Sequence, residues 1–305
     1  MSKAARYVFL ACVACCAAVA LGPGASPAQE GIGPPAGILP PQGAETNDTL
    51  GLELVDPKVL RVCADPNNLP FSNTKGEGFE NKLAELFAAK LGKKLAYTFY
   101  PQATGFVRMT LGSHRCDVIL GYPQGGELVQ NTNPYYQTGY ALVTKADSPL
   151  ASIDTLGDAR LQGKRLGIIA GTPPATYLAN DGLMAKAKPY PLVIDTRVDS
   201  SAVAMINDIA SGEVDAGVLW GPMAGYYAAH ANPPLHVVLL QKETGGPHMT
   251  YRIAMGVRPS DQNWKRQLNK LIADNQPAIN KILLDYGVPI IDDSGRPITS
   301  DSAKP

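Results

Sequence analysis

The chain has 305 residues, an apolar content of 45%, and 27 basic against 27 acidic side chains. That length and apolar share allow one large or two medium domains with sizeable cores. The charge balance offers no basic surplus for a nucleic-acid partner and no acidic run of a solvated tail.

Lys3 and Arg6 precede an apolar run from Tyr7 to Leu21, and Ser26-Pro27-Ala28 supplies small residues after it. The run is about 15 residues, short for a membrane span. Together these features predict a secretory signal peptide over residues 1–28, cleaved after Ala28, and hence a periplasmic protein without a stable membrane anchor. An uncleaved anchor is the alternative. Cys12, Cys15 and Cys16 lie in the removed part and have no lipoprotein-like run ahead of them. The mature chain keeps 25 basic and 27 acidic residues and two cysteines, Cys63 and Cys116. An even count in an exported protein points to a disulfide. The two lie on or beside strands expected to be neighbours in one sheet, which suits the Cα separation. Two buried thiols are the alternative. Two thiols without a nearby third ligand do not make a zinc site, so no metal is predicted.

Residues 29–57 are rich in Gly and Pro and read as an extended arm, since Pro removes backbone donors. A short apolar run, Leu60-Arg61-Val62-Cys63-Ala64, then stops at Asp65-Pro66 and is followed by Asn67-Asn68-Leu69-Pro70-Phe71-Ser72-Asn73. This pattern predicts a buried strand delivering a polar loop. Gly78 to Leu91 places Phe79, Leu83, Leu86, Phe87 and Leu91 on one helical face, with Gly92 as a stop. A strand at 95–100, a short helix near 105–111 and a strand at 116–122 complete a β-α-β-α-β unit. A strand at Tyr140–Thr144 leaves that unit.

A second unit starts at Gly163 and repeats the scheme. It has a helix from about Pro173, a strand at Leu192–Thr196, a helix at Ser200–Ser211, a strand at Val214–Trp220, a helix at Pro222–Ala229 and a strand at Leu235–Leu240. Cys116-Asp117-Val118-Ile119-Leu120-Gly121-Tyr122-Pro123 echoes Val214-Asp215-Ala216-Gly217-Val218-Leu219-Trp220-Gly221-Pro222, so two similar lobes are expected. A strand at Tyr251–Arg258 and a long helical stretch from Trp264 to Tyr286, kinked or broken at Pro277, are expected to return to the first lobe. The fold class is therefore α/β with two lobes. Each lobe is a mixed, mostly parallel sheet flanked by helices, and two crossovers join them. The expected boundaries are 58–144 plus 248–305 for lobe 1 and 145–247 for lobe 2.

In open α/β sheets, loops at the carboxyl ends of strands line the ligand crevice. That rule nominates Asp65, Asn67, Asn68, Phe71, Tyr122, Gln124, Thr172, Trp220 and Tyr226 as cleft residues, with Tyr227 beside them. An ordinary turn for the Asn and Pro residues, and interlobe packing for the rings, are the alternatives. The four histidines, His114, His230, His236 and His248, are scattered. Asp117 and Asp215 open strands and read as cap or turn residues. Glu80 and Glu85 sit beside lysines and read as a solvated helix face. No catalytic residue and no cofactor is predicted.

This layout resembles the type II periplasmic binding proteins, in particular the amino-acid-binding branch of ABC-transporter receptors. The markers are Leu60-Arg61-Val62, the Asp117 strand, Asn133-Pro134-Tyr135-Tyr136, Gly171-Thr172 and Gly212-Glu213-Val214-Asp215-Ala216. Three departures stand out against that branch. The stretch Gly121–Gln130 carries no Arg or Lys to hold a ligand carboxylate. Trp220 replaces the acid that receives the amine. Pro173 and Pro174 remove helix-terminal N–H donors. An unpaired zwitterion in a closed cleft is costly, so a free amino acid is not the expected ligand.

A narrower resemblance rests on the string Leu60–Asn73, with Gly78-Phe79-Glu80-Asn81-Lys82, Cys116-Asp117-Val118 and Tyr286-Gly287-Val288-Pro289. These residues are similar to the MxaJ/XoxJ family of binding-protein-like accessory proteins of PQQ methanol dehydrogenase. The resemblance implies a non-transport role in activation or maturation of that dehydrogenase, of the MxaF/XoxF type, through protein–protein contact. The partner can be in its apo or partly folded form. The long Pro-rich arm leans the resemblance to the lanthanide-dependent branch, with the calcium-dependent one the alternative. Two other functions stay open. One is a transport receptor for a small uncharged or aromatic solute. The other is an enzyme such as a dehydratase, for which Asp65 is the best-placed carboxylate.

Overall fold

A computed structural model describes residues 53–300; the expected signal peptide, the arm up to residue 52 and residues 301–305 lie outside the described residues. The first lobe opens with β1 (Val59–Ala64), the short pair β2 (Asn67–Asn68) and β3 (Ser72–Asn73), and helix α1 (Phe79–Leu91). Gly78 caps α1 in an extended conformation, and the Asn81 side chain accepts from the Gly78 and Asn73 amides at 3.1 and 3.0 Å. The helix ends at Gly92, whose φ of 64° is left-handed, as a helix stop requires. Strand β4 (Lys94–Phe99), helix α2 (Phe106–Met109), β5 (Val118–Pro123) and β6 (Gln130–Asn131) follow.

Strand β7 (Tyr136–Lys145) leads into the second lobe, which contains β8 (Leu166–Ile169), α3 (Pro173–Asn180), β9 (Lys188–Tyr190), α4 (Ser201–Ser211), β10 (Ala216–Trp220), α5 (Gly221–His230) and β11 (Leu235–Leu239). The chain returns through β12 (Thr250–Val257) and the 24-residue helix α6 (Gln262–Asp285). The helical assignment of α6 runs on through Pro277 without a break.

The strands follow one path, β4-β1-β5-β12-β7-β10-β8-β9, with β6 on β12 and β11 on β7. Strands β1, β4 and β5 are parallel, as are β8, β9 and β10, which is the two-lobed α/β arrangement expected. The lobes share β7. Its residues 136–139 pair with β12, and residues 140–144 pair with β10. Strand β7 thus changes its pairing partner between Gly139 and Tyr140.

Lobe 1 buries Phe79, Leu83 and Phe87 of α1 against Trp264, Leu268 and Ile279 of α6. On the other face of its sheet, Cys63 and Cys116 form a disulfide with Cα atoms 5.4 Å apart, packed with Phe106, Leu111 and Ile119. Lobe 2 has a core on each face, one around Leu161, Ile168 and Leu178 and one around Met205, Ile209 and Leu219. Among the described residues, no helix is long and apolar enough to cross a membrane.

Three expectations need correction. The strand at Leu192–Thr196 does not form. β8 ends at Ile169, which pairs with Tyr190, so the residues beyond have no neighbouring strand. They run instead as an irregular loop, 191–200, that leaves Leu192 and Val193 exposed. Asp117 and Asp215 are ion-pair partners rather than simple caps. Asp117 binds Arg61 and Arg258 at 2.6 and 2.7 Å, and Asp215 binds Arg165 at 3.1 Å. Glu80 is not on a solvated face: it is 8% exposed, because the α1 N-terminus tucks beneath β5. Glu85 does face solvent, paired with Lys82.

Candidate functional site

Between the lobes lies a cavity of about 1140 Å³. Lobe 1 supplies Asn67, Asn68, Leu69 and the Gln102–Thr104 turn. The shared strands supply Tyr140 and Tyr251. Lobe 2 supplies Thr172, loop 191–200, the start of α4, and Trp220, Met223 and Tyr227. Each loop follows the carboxyl end of a strand, so parallel pairing aims all of them into one crevice.

The floor is aromatic. Tyr140, Trp220 and Tyr251 contact one another edge to face, with centroid separations of 5.3, 5.8 and 6.4 Å. Burial pushes the Tyr140 phenol up to about 12, so it remains an O–H donor at neutral pH. The walls are apolar. Of the eight large exposed apolar side chains among the described residues, Leu192, Val193, Val198 and Val203 line this cavity. The charged residues in the lining are Arg197 and Asp199. Arg197 is already committed, in a two-pronged pair with Asp195 at 2.8 and 2.6 Å. That pair holds the Asp195 carboxyl at about 2.

Three hydrogen bonds tie the lobes across the crevice. The Thr196 main-chain oxygen accepts from the Asn67 side chain at 2.8 Å, and its hydroxyl donates to Asp65. The Tyr227 hydroxyl donates to the Leu69 oxygen at 2.7 Å. Behind them, a Cβ at Gly225 of α5 would stand 1.9 Å from the Gly287 oxygen, so only glycine lets α5 approach the end of α6 this closely.

Asn67, Asn68, Thr172 and Trp220, nominated from sequence, line the cavity. Asp65 lies just beneath, 2% exposed, and its carboxylate accepts from the backbone N–H groups of Asn67 and Gln102 at 2.8 and 2.5 Å. The remaining nominated residues stand elsewhere. Phe71 packs on Phe79 at 5.3 Å in the lobe 1 core. Tyr122 packs against the disulfide cluster. Gln124 is exposed, and its backbone N–H donates to the Arg252 main-chain oxygen. Tyr226 stacks on Tyr286 at 6.1 Å, while its neighbour Tyr227 faces the cavity. Sequence reasoning missed Tyr140 and Tyr251, which sit inside strands, and Thr196, which sits in the loop misread as a strand.

The anchors that a zwitterion needs are absent from this lining. Pro173 and Pro174 occupy the first two positions of α3, and the Thr172 hydroxyl donates inward to the Ile169 oxygen at 2.6 Å. A second buried acid, Glu80, lies under β5, where its Oε1 would stand 2.2 Å from a Cβ at Gly121. Burial, and then the Asp65 charge, push it up to about 8, so it is mostly neutral at pH 7. Among the described residues, no three His, Cys, Asp or Glu side chains gather as a metal site.

Two lobes joined by shared strands around a crevice define a binding-protein body. The chain belongs to the bacterial extracellular solute-binding proteins, family 3, whose family model matches residues 60–286. Within that class it is similar to the periplasmic binding protein XoxJ from Methylobacterium extorquens AM1. That structure is 39% identical, covers 77% of this chain and 100% of its own, and superposes with a TM-score of 0.67. It is also similar to MxaJ from Methlophaga aminisulfidivorans MPT, at 26% identity, 76% and 100% coverage and a TM-score of 0.66. Protein MoxJ of Methylorubrum extorquens is 29% identical over 252 residues, 77% of this chain and 83% of that protein. The MxaJ/XoxJ resemblance read from the sequence therefore holds across the body of the chain.

Proposed function

We propose that this chain is a periplasmic accessory protein of methanol oxidation, not a transport receptor. It supports activation or maturation of a PQQ-dependent methanol dehydrogenase, of the MxaF/XoxF type, by receiving part of that enzyme at its cleft. The observation that carries this is the lining of the cavity: rings and apolar walls stand where a small zwitterion would need buried charges. Tyr and Trp give large contact area with a polar handle, which suits a polypeptide segment. Similarity to XoxJ and MxaJ over the whole body supports the same reading.

The proposal includes export by cleavage after Ala28, the lobe boundaries 58–144 plus 248–305 and 145–247, and a cleft set drawn from Asp65, Asn67, Asn68, Thr172 and Trp220. Purified chain is expected to associate with the dehydrogenase or its apo form, and deletion of the gene to lower dehydrogenase activity and metal or quinone occupancy. No association at low or physiological salt, with occupancy unchanged in the deletion strain, would overturn it.

A transport receptor for a small uncharged or aromatic solute is the second reading, favoured by family membership and by the hydrogen bonds that tie the lobes across the cavity. Thermal stabilisation by one metabolite, of the size mass action requires, would select it.

A further inference from the structure

The sheet ends at β4. Among the described residues this strand pairs only with β1, in parallel register from Val59 against Lys94 to Ala64 against Phe99. The Lys94 N–H donates to the Lys58 oxygen and the Tyr100 N–H to the Ala64 oxygen, both at 3.0 Å. Backbone groups alternate sides along a strand, so Lys94, Ala96 and Thr98 turn theirs towards β1. Leu95, Tyr97 and Phe99 aim their N–H and C=O groups away from it, along the open edge of a six-residue strand. Such a row is a template for one more strand.

The two faces of this edge differ in chemistry. Leu95 and Tyr97 pack on the α1 side of the sheet, and the Tyr97 and Phe99 rings stack at 5.2 Å. Thr98 stands in register with Cys63 and so lies on the disulfide side, where its hydroxyl donates to the Arg115 oxygen at 2.7 Å. Lys94 shares that side by alternation, and both Lys94 and Arg115 are exposed. Among the described residues, neither takes part in an ion pair. An added strand would therefore meet rings on one face and uncompensated positive charge on the other. The β4 edge of a second copy brings the same cations and would set like charges together. An acidic strand answers them. The edge also leads to the crevice, because β4 runs on into the Gln102–Thr104 turn that lines it.

We propose that the β4 edge takes up an extended segment of another polypeptide as an added strand, one that alternates apolar and acidic residues. Its apolar side chains lie beside Tyr97 and Phe99, its acids face Lys94 and Arg115, and its backbone pairs with Leu95, Tyr97 and Phe99. The docking does not rest on the function proposed above, although a segment held there has one end at the crevice.

The test uses the full mature chain, isotopically labelled for magnetic resonance, and a blocked peptide of alternating valine and glutamate as long as β4. Titration to millimolar peptide is expected to shift the Leu95, Tyr97 and Phe99 amide resonances and to slow exchange of those amides with solvent. The same peptide with lysine in place of glutamate is expected to leave them unchanged. Lys94→Glu together with Arg115→Glu changes two exposed positions and leaves the core intact. That chain should bind the glutamate peptide about tenfold more weakly, or worse.

No response to the glutamate peptide, an equal response to both peptides, or undiminished binding by the charge-reversed chain would overturn the proposal. Shifts confined to the crevice around Tyr140 and Trp220 would overturn it as well. Slow exchange of the three amides before any peptide is added would show an edge already occupied, by the chain itself if dilution leaves it unchanged and by a second copy if dilution abolishes it. Either result overturns the proposal.

Discussion

Thr196 donates its hydroxyl across the crevice to Asp65, 3.0 and 3.1 Å from the two carboxylate oxygens. The Asp65 carboxylate also accepts from the backbone N–H groups of Asn67 and Gln102, so it fixes three segments at once. Thr196→Val removes the hydroxyl and keeps the shape. A stability loss of ~1 kcal/mol is expected, with faster amide exchange confined to loop 191–200. Unchanged exchange there would mean that the loop is held by its own turn at Asp195 rather than by Asp65.

Glu80 makes stability depend on pH. Its folded value of about 8 lies above the ordinary 4.5. Below about 4.5 the group is neutral in both states and costs nothing. As pH rises towards 8 the unfolded chain sheds this proton and the folded chain keeps it, so stability falls across that window and levels off above it. The expected loss is on the order of 3 kcal/mol at pH 7. Glu80→Gln should flatten the Tm profile between pH 5 and 8. An equally steep profile in the variant would show that another group titrates. Gly121→Ala would place a Cβ 2.2 Å from the Glu80 Oε1, so the Glu80 carboxyl has to turn aside to admit it.

Much of this fold was legible because strand and helix periods are strong in β1, α1, β10 and α6. The Arg-Asp openings of the two lobes repeat in sequence and in space: the Asp117 amide donates to the Arg61 oxygen at 2.7 Å and the Asp215 amide to the Arg165 oxygen at 2.8 Å. What stayed hidden depends on partners far along the chain. Leu192-Val193-Ile194 has strand character, but β8 is too short to pair with it. Glu80 sits among polar neighbours in sequence, yet the packing of α1 under Gly121 buries it. Tyr226 and Tyr227 are equivalent on paper, and only the helix rotation sends one to Tyr286 and the other to the cavity.

The two Arg-Asp pairs differ in burial, and so should the cost of breaking them. The Asp117 side chain is 1% exposed and shares Arg258 with Asp261. Asp117→Asn leaves Arg61 and Arg258 short of a counter-charge and should cost ~3 kcal/mol or more by urea unfolding. The Arg165–Asp215 pair is 49% and 32% exposed, and Asp215→Asn should cost ~1 kcal/mol or less. Equal losses would contradict this ranking.

The Cys63–Cys116 disulfide closes a separation of 53 residues within lobe 1. Cys63→Ala with Cys116→Ala should lower stability by ~4 kcal/mol on the loop-closure estimate. The α1–α6 core lies on the opposite face of the sheet, so the fold should survive, with circular dichroism unchanged below the transition. Loss of the folded signal at room temperature would show that the bridge is needed for folding itself.

Titration of the purified chain with each common free amino acid, followed through Trp220 fluorescence, tests most directly whether the crevice has given up small zwitterions. No saturable change is expected for any of them, because no buried charge faces the cavity. Saturable binding of one amino acid at micromolar concentration would contradict that claim and return the chain to the receptors its family name describes.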